Sequence, residues 1–169
     1  MELWDAYYED GTLAGLDLVR GEKIPEGLRH AVAEIFVVHK DKSILLMQRD
    51  FGKPNYPGLW ENGASGSVIK GESPLEGAKR ELFEETGIVA KDGLQSLYHI
   101  VSETTIYWGY LCVTDIPKEK VRLQEGETIA FKWVHEREFK EIFYSDQYVN
   151  TVRERLKDFV EKGSYLCGI

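Results

Sequence analysis

The sequence predicts an α+β fold in which helices pack against a mixed β-sheet. Short apolar stretches typical of strands lie both before and after one strongly delimited helix, and an amphipathic stretch lies near the end of the sequence. Strands on both sides of a helix favour a mixed sheet with helices packed on it. No repeat, low-complexity segment or linker interrupts the 169 residues, so we expect a single domain spanning residues 1–169.

Two hairpins are predicted before the helix. Residues 3–19 have apolar stretches on either side of Asp10-Gly11, a common hairpin turn. Residues 31–50 repeat the pattern around Asp41, and their content of Ile, Val and Leu predicts two central strands. Further strands are predicted at residues 94–103, 105–113 and 130–134.

The helix that follows has signals at both ends. Ser73 is a candidate N-cap, Pro74 suits the first helical position, and Glu76 completes a capping box. Gly87 follows the last helical residue and favours the left-handed conformation that ends many helices. A C-terminal helix is predicted at about residues 146–161 from its apolar side.

Charge and cysteine content narrow the class of protein. The net charge of −8 argues against a nucleic acid polymer as partner, because binding to a phosphate backbone requires clustered Lys and Arg. Cys112 and Cys167 lack the spacing of a disulfide framework or a zinc site, so both are expected to be reduced thiols. No apolar run is long enough to cross a membrane. We expect a cytoplasmic monomer or homodimer without membrane contact.

Three glutamates crowd the end of the capped helix. Glu81, Glu84 and Glu85 share one face, because each residue advances the helix by about 100°. Like charges at these spacings repel by roughly a few tenths of a kcal/mol, and the helix dipole also disfavours anions there. An acidic pair on an exposed helix is usually only solvated, but a triad in this position favours a divalent cation. Gly77, one turn earlier, is expected to leave the backbone open to a ligand.

The sequence around these glutamates resembles the complete Nudix box of the Nudix hydrolases. Every defined position of the 23-residue motif is matched: Gly66, five residues, Glu72, seven residues, Arg80-Glu81-Leu82, one residue, Glu84-Glu85, one residue, Gly87-Ile88. The resemblance implies the Nudix fold, a mixed β-sheet sandwiched between α-helices. It also implies divalent-metal-dependent hydrolysis of a diphosphate linked to another group, X.

The same resemblance implies roles for single residues. Glu81, Glu84 and Glu85 correspond to metal ligands, and the carbonyl group of Gly66 to a further one. Arg80, one turn before Glu84, would orient that carboxylate through a charge-assisted hydrogen bond. The implied cofactor is Mg²⁺, with Mn²⁺ as a substitute, and the implied partner is a small-molecule diphosphate substrate.

A looser resemblance, over most of residues 4–138, is to the branch of this superfamily that contains isopentenyl diphosphate isomerase. In the isomerases, the segment after the tryptophan carries a catalytic Cys and then a metal-binding His, whereas Ser65 and Ser67 take those positions here. A serine hydroxyl has a pKa far above that of a thiol, and it replaces imidazole poorly as a metal ligand. His30 resembles another isomerase ligand position, but without its partner His we expect a structural or surface histidine. Isomerase activity is therefore the disfavoured alternative.

Hydrolysis also needs a base that takes a proton from the attacking water. Glu127 lies in a Gly-containing loop six residues before Trp133, which resembles the placement of a late metal-binding or basic Glu in several Nudix hydrolases. Glu125 is the second candidate and Glu81 the third. The alternative is that both loop glutamates only interact with solvent.

Candidate substrate-binding residues lie in the segment before the Nudix box. Arg49 and Lys53 flank the approach to the site and are candidates for binding the diphosphate. Aromatic side chains are candidates for stacking on a nucleobase, although aromatic residues at strand spacing are more often part of the core; these are Trp60, Tyr56, Tyr107 and Trp108.

These observations predict a magnesium-dependent Nudix pyrophosphohydrolase that acts on a nucleoside diphosphate derivative or a similar small diphosphate. Besides the isomerase, two alternatives stay open: a noncatalytic nucleotide-binding sensor, which the intact motif disfavours, and a purely structural domain, which the crowded glutamates disfavour.

Overall fold

The computed structural model describes residues 1–163 and residue 165. In this part of the chain the helices and strands occur in the order β1 (Leu3–Tyr7), β2 (Leu13–Val19), β3 (His30–His39), β4 (Ile44–Arg49), β5 (Trp60–Asn62), β6 (Ala64–Ser67), α1 (Pro74–Thr86), β7 (Gln95–Val101), β8 (Thr105–Thr114), β9 (Thr128–Val134), α2 (Glu136–Phe143) and α3 (Asn150–Lys162).

The strands form two sheets. The first is the antiparallel hairpin of β1 and β2. The second has the order β5-β4-β3-β8-β7, with β6 paired to β3 and β9 paired to β4. The pairing of β3 with β8 is parallel, whereas the other pairings of this sheet are antiparallel. The predicted mixed sheet is therefore confirmed, with β3 and β4 in its interior.

Helices cover both faces of the larger sheet. Alternate residues of β3 point to opposite faces, so Ile35 and Val37 belong to one apolar cluster and Phe36 and Val38 to another. The first cluster contains Ala78 and Leu82 of α1, and the second contains Phe139 of α2 and Val152, Leu156 and Val160 of α3. Complete burial of one leucine such as Leu82 stabilises the fold by about 2 kcal/mol. The sheet is thus sandwiched between helices, as the resemblance implied.

The caps of α1 agree with the prediction. The Ser73 hydroxyl accepts a hydrogen bond from the backbone amide of Glu76, whose carboxylate accepts one from the Ser73 amide at 2.8 Å. Gly87 has a φ of 72°, and its amide donates to the carbonyl of Phe83 at 2.8 Å. These local bonds fix where α1 begins and ends, and so fix where its glutamates lie.

The C-terminal region differs from the prediction in two ways. The sequence analysis did not predict α2, whose N-cap residue His135 makes no side-chain cap hydrogen bond. The last helix, α3, begins at Asn150 and not near residue 146. The cause is a parallel bridge to β5: the Trp60 amide donates to the Gln147 carbonyl at 2.8 Å, and the Val149 amide donates to the Trp60 carbonyl at 3.0 Å. These bonds keep the chain extended up to the start of α3.

Cys112 is buried with a free thiol, whereas the prediction for Cys167 lies outside the described residues. Burial raises the pKa of the Cys112 thiol to about 12, so this side chain is not poised for nucleophilic chemistry. Among the helices of the described residues, none has the length and apolarity needed to span a membrane.

Candidate active site

A cleft of about 530 Å³ opens beside the end of α1. Its walls come from β3, β6 and α1, from the loop after β4, from the loop before β9 and from the first turns of α3. The β1–β2 hairpin adds Glu2 and Arg20 at the rim. Of the residues predicted to form the site, Arg49, Lys53 and Gly66 line this cleft, as do Arg80, Glu81, Glu84, Glu85 and Glu127.

Arg80 is the hydrogen-bonding centre of the Nudix box. Its guanidinium donates to both oxygens of the Glu72 carboxylate, at 2.8 and 3.0 Å, and to the Ser67 carbonyl at 3.0 Å. It also donates to Glu81 at 2.7 Å and to Glu84 at 3.0 Å. A guanidinium bound on this many sides is fixed in position, and it fixes the two carboxylates in turn.

The three glutamates of α1 differ in exposure. The side chain of Glu84 is 44% exposed and that of Glu81 only 14%, while Glu85 is buried. Burial raises the pKa of Glu81, and the nearby charges of Glu84 and Glu127 raise it further, although the Arg80 guanidinium opposes this. Burial raises the pKa of Glu85 well above its usual value, with added repulsion from Glu61 and Glu81.

Gly66 leaves room for one of these carboxylates. It lies so close to Glu81 that a methyl group added at residue 66 would overlap the carboxylate group. The expectation for Gly77 was wrong, since this residue is buried and faces the protein. A methyl group there would lie 3.1 Å from Val68 and 3.3 Å from Glu72, so Gly77 permits close packing of α1 and not the approach of a ligand.

The chemistry of this wall fits a hard divalent cation. Carboxylates that are buried together repel one another, and carboxylate and carbonyl oxygens are the preferred ligands of such ions. Within residues 1–163 and 165, no three His, Cys, Asp or Glu side chains are grouped so that they could hold a metal ion without moving. The carboxylates point instead to basic side chains, namely Arg80 for Glu81 and Glu84 and Lys53 for Glu127.

Of the two loop candidates for the base, only Glu127 lines the cleft; Glu125 is exposed outside it. Glu127 forms an ion pair with Lys53. Its carbonyl group accepts a hydrogen bond of 2.8 Å from the Asp50 amide, which ties the loop before β9 to the loop after β4. The two loops thus place a carboxylate and an ammonium group together opposite α1.

Two buried acidic residues of the cleft were missed by the sequence analysis. Glu61 is 6% exposed and accepts a hydrogen bond of 2.6 Å from Arg49, yet burial still raises the pKa of its carboxyl group. Glu34 is 7% exposed and forms an ion pair with Arg155 of α3. The sequence does hold a signal for Glu34, because it is a lone glutamate within the apolar run of residues 31–38. The partner of Glu34 depends on how α3 packs, which no local pattern indicates.

The structure does not place Trp60, a candidate for binding substrate, in the cleft. Alternation along β5 directs Glu61 into the cleft and Trp60 to the opposite face, where Trp60 packs with the α2–α3 cluster and lies under the Lys132 ammonium group. Trp108 also lies outside the cleft and stacks on His99, with ring centroids 4.1 Å apart. Of the four aromatic candidates, Tyr56 and Tyr107 line the cleft.

The positions aligned with the isomerase Cys and His are occupied by hydroxyl groups at the cleft. Ser65 and Ser67 both line it, and the described lining residues include neither Cys nor His. His30 lies elsewhere: it stacks on Trp4 at 4.4 Å and makes a hydrogen bond of 3.1 Å with Thr105. The expected structural role of His30 fits these contacts.

Comparison with known proteins places these features in a family. The chain is 29% identical over 152 residues to an uncharacterized Nudix hydrolase of Listeria monocytogenes, with 88% of this chain and 89% of that protein covered. It is 31% identical over 149 residues to an isopentenyl-diphosphate delta-isomerase of Schizosaccharomyces pombe, with 75% of this chain and 65% of that protein covered. A crystal structure from Deinococcus radiodurans has the same fold, with a TM-score of 0.75, 15% identity and 93% and 98% of the two chains covered.

The family model for the NUDIX domain matches residues 28–154, which include the whole Nudix box and all but three residues of the cleft. The fold, the Arg80-centred carboxylates and this match agree, and the chain belongs to the NUDIX domain family.

Proposed function

We propose that this protein is a divalent-metal-dependent hydrolase that cleaves the diphosphate linkage of a nucleoside diphosphate derivative or a similar small diphosphate. As a Nudix hydrolase it is an enzyme that acts on compounds containing a diphosphate. The observation that supports the finer proposal is the wall of carboxylates at a cleft large enough for a small molecule. Arg80 donates to Glu81, and the Ser65 amide donates to the buried Glu85.

The metal of this proposal is Mg²⁺, with Mn²⁺ as a substitute. Glu81, Glu84 and Glu85 would hold it together with the Gly66 carbonyl. When bound, the cation supplies positive charge for the diphosphate and makes water easier to deprotonate. Arg80 keeps Glu81 and Glu84 in position, because its guanidinium donates to both carboxylates.

The remaining roles fall to side chains across the cleft. Glu127 is the proposed base, since it lines the cleft opposite α1 and its carboxylate lies near enough to Glu81 to affect that group's pKa. Arg49 and Lys53 are proposed to bind the diphosphate oxygens, because each presents a cation to the same cleft. Glu81 is the alternative base.

An isomerase-like activity is the second candidate, supported by the likeness to the isopentenyl-diphosphate delta-isomerase of Schizosaccharomyces pombe. Ser65 and Ser67 oppose it, because isomerisation requires a proton to be delivered to one face of an alkene and removed from the other by groups of suitable pKa. The test is incubation of isopentenyl diphosphate with the protein and Mg²⁺ or Mn²⁺ in deuterated water. Deuterium in dimethylallyl diphosphate, formed as fast as any hydrolysis, would favour the isomerase.

The proposed hydrolase activity is tested by a screen of the purified protein against nucleoside diphosphates, nucleotide sugars, dinucleoside polyphosphates and isoprenyl diphosphates. Each is assayed with Mg²⁺, with Mn²⁺ and with a chelator. Metal-dependent release of a monophosphate or of phosphate is expected for at least one class. Equal rates in chelator would contradict a metal-dependent hydrolase, and tight binding of a nucleotide without any turnover would favour a sensor.

Three further expectations belong to this proposal. We propose one domain over residues 1–169, a monomer or homodimer, and a cytoplasmic location; the buried free thiol of Cys112 supports the last of these.

A further inference from the structure

Arg49 is the last residue of β4, and hydrogen bonds fix its position at the cleft from several sides. Its amide donates to the Leu59 carbonyl at 2.9 Å, and its carbonyl accepts from the Gly58 amide at 3.2 Å. In the side chain, Nε donates to the Asn55 carbonyl at 3.2 Å and Nη1 donates to the Glu61 carboxylate at 2.6 Å. Both the backbone and the guanidinium group of Arg49 are therefore held by the chain that follows it.

Glu61 is the firmer of the two side-chain anchors, because it belongs to the sheet and not to a loop. Its side chain is 8% exposed, and the pairing of β5 with β4 sets it opposite Met47. Alternate residues of a strand share a face, so Arg49 lies on the same face as Met47 and is a diagonal neighbour of Glu61. The contact between Glu61 and Arg49 is thus set by the register of two paired strands.

The third nitrogen of the guanidinium group remains for a ligand. Among residues 1–163 and 165, none accepts a hydrogen bond from Nη2 of Arg49, whose side chain is 15% exposed and lines the cleft. The donors of a guanidinium group form a planar fork, so a hold on Nε and Nη1 also fixes where Nη2 points. Arg49 therefore offers an anion a donor whose direction is set before binding, and little side-chain freedom is lost when the anion arrives.

Lys53, the other cation proposed to bind the diphosphate, is held differently. Its partner Glu127 comes from a loop and has a side chain that is 33% exposed. An ammonium group is a point charge on a flexible stem, whereas a guanidinium group is rigid and planar. A buried ion pair is often no more stabilising than apolar residues of similar volume, so stability alone does not account for a glutamate at position 61.

We propose that Glu61 is a positioning residue for the diphosphate, which holds Arg49 so that Nη2 is presented to a phosphate oxygen. This rests on the proposed function, in which Arg49 binds the diphosphate. Glu61 acts through Arg49 and not by contact with the substrate. Without Glu61, the guanidinium group would keep its charge and its bond to Asn55 but lose its anchor in the sheet. The side chain would then have to be ordered on binding, which weakens the affinity for the anion.

The test measures the binding of imidodiphosphate, in which a P–N–P bridge replaces the P–O–P bridge of a diphosphate, by calorimetry with Mg²⁺ present. Glu61→Asp keeps the negative charge but shortens the side chain by a methylene group, so the bond of 2.6 Å cannot form unless Arg49 moves. The affinity is expected to fall about tenfold, because a hydrogen bond between charged groups typically contributes that much. An unchanged affinity, or no measurable binding by the wild-type protein, overturns the proposal.

Glu34→Asp is the matched control. It makes the same change in another buried carboxylate of the cleft, which pairs with Arg155 instead of Arg49. Its affinity for imidodiphosphate should stay within about twofold of the wild-type value, since distant sites act independently. An equal loss in both variants would show a general disturbance of the cleft and would overturn the positioning role.

A double-mutant cycle assigns the loss to Arg49. Arg49→Lys should weaken binding, and Arg49→Lys/Glu61→Asp should bind no more weakly than Arg49→Lys alone, because both changes remove the same contact. Losses that add would show that Glu61 acts independently of Arg49, against the proposal.

Glu61→Gln tests position against charge, and it also serves if the aspartate variant does not fold. It keeps the length of the side chain and an acceptor oxygen but removes the charge. Weaker binding of imidodiphosphate is expected, because a neutral acceptor holds a guanidinium group less firmly than a carboxylate does. Binding as tight as in the wild-type protein, or tighter, would show that Glu61 only neutralises Arg49 and would overturn the proposal.

Turnover separates this inference from the proposed function. In an active hydrolase, Glu61→Asp should raise KM about tenfold and change kcat less, as expected for a contact present in both the substrate complex and the transition state. Metal-dependent hydrolysis with an unchanged KM would refute the positioning role and leave the hydrolase standing. Binding that depends on Glu61 and Arg49, without hydrolysis of any diphosphate, would refute the hydrolase and leave the positioning role standing.

Discussion

The backbone amide of Ser65 donates a hydrogen bond of 3.1 Å to the carboxylate of Glu85, and so joins β6 to the last turn of α1. β6 is itself held in the sheet, because Ser65 pairs with Glu34 of β3. The carboxylates of α1 are therefore positioned by two independent elements, a helix with fixed ends and a strand beside it. A site built on a helix and a strand is positioned more precisely than one built on loops.

The first prediction concerns catalysis by the α1 carboxylates. Glu84→Gln and Glu85→Gln should each lower kcat for a diphosphate substrate by about a hundredfold or more, because each removes one strong electrostatic stabiliser. Steady-state kinetics with Mg²⁺ measures the change, and the exposed Glu161→Gln on α3 is the control. Turnover that is undiminished in either variant would contradict the metal-site assignment.

The second prediction concerns stability. Millimolar Mg²⁺ should raise the melting temperature, because an ion that binds only the folded state stabilises it by mass action, by about 2.7 kcal/mol at a hundred times its Kd. The double variant Glu81→Gln/Glu84→Gln should lose most of this rise. Scanning calorimetry at several Mg²⁺ concentrations measures it, with Na⁺ at matched ionic strength as control. An unchanged melting temperature of the wild-type protein would count against a cation site in this cleft.

The third prediction separates the base from the ligands. Glu127→Gln should lower kcat but leave the Mg²⁺-dependent rise in melting temperature largely intact, if Glu127 takes a proton and is not a principal ligand. Glu125→Gln is the matched control from the same loop, since Glu125 is exposed outside the cleft. The reverse order of effects would assign the role to Glu125. Two near-neutral variants would move the base to Glu81.

The fourth prediction concerns acid stability. Burial lowers the pKa of His30 to about 4 from the usual 6.5. Between these values the unfolded chain binds a proton that the folded protein does not, so His30 contributes stability above pH 6.5 that is lost as the pH falls toward 4. In His30→Gln the loss of unfolding free energy between pH 7 and pH 4 should be smaller by roughly 2 kcal/mol. Urea unfolding at both pH values measures this, and equal losses in the two proteins would contradict it.

Local signals account for the parts of the fold and site that the sequence predicted. Ser73, Glu76 and Gly87 form cap hydrogen bonds with residues within one helix turn, so the ends of α1 could be predicted from the local sequence. The spacing of Glu81, Glu84 and Glu85 within α1 places all three on the cleft for the same reason. The start of α3 was misplaced because a bond to a distant strand, at Trp60, overrides the local pattern.

Features that depend on distant pairing could not be read in this way. Which face of β5 meets the cleft is decided by its register with β4, where Met47 pairs with Glu61, and this register assigns Glu61 to the cleft and Trp60 to the core. The contact between Glu34 and Arg155 joins residues 121 positions apart. No periodicity within either segment predicts that these two residues meet.

The parallel pairing of β3 with β8 sets His30 beside Thr105, 75 residues later. During synthesis, β3 leaves the ribosome long before its partner exists, with apolar residues on both of its faces. The entropy of closing so long a loop must be overcome before the pairing contributes any stability, which makes such strands slow to fold and open to intermolecular contact. The yield of folded protein after removal of denaturant should therefore fall as the protein concentration rises. β3 is the segment that a chaperone would have the most reason to shield.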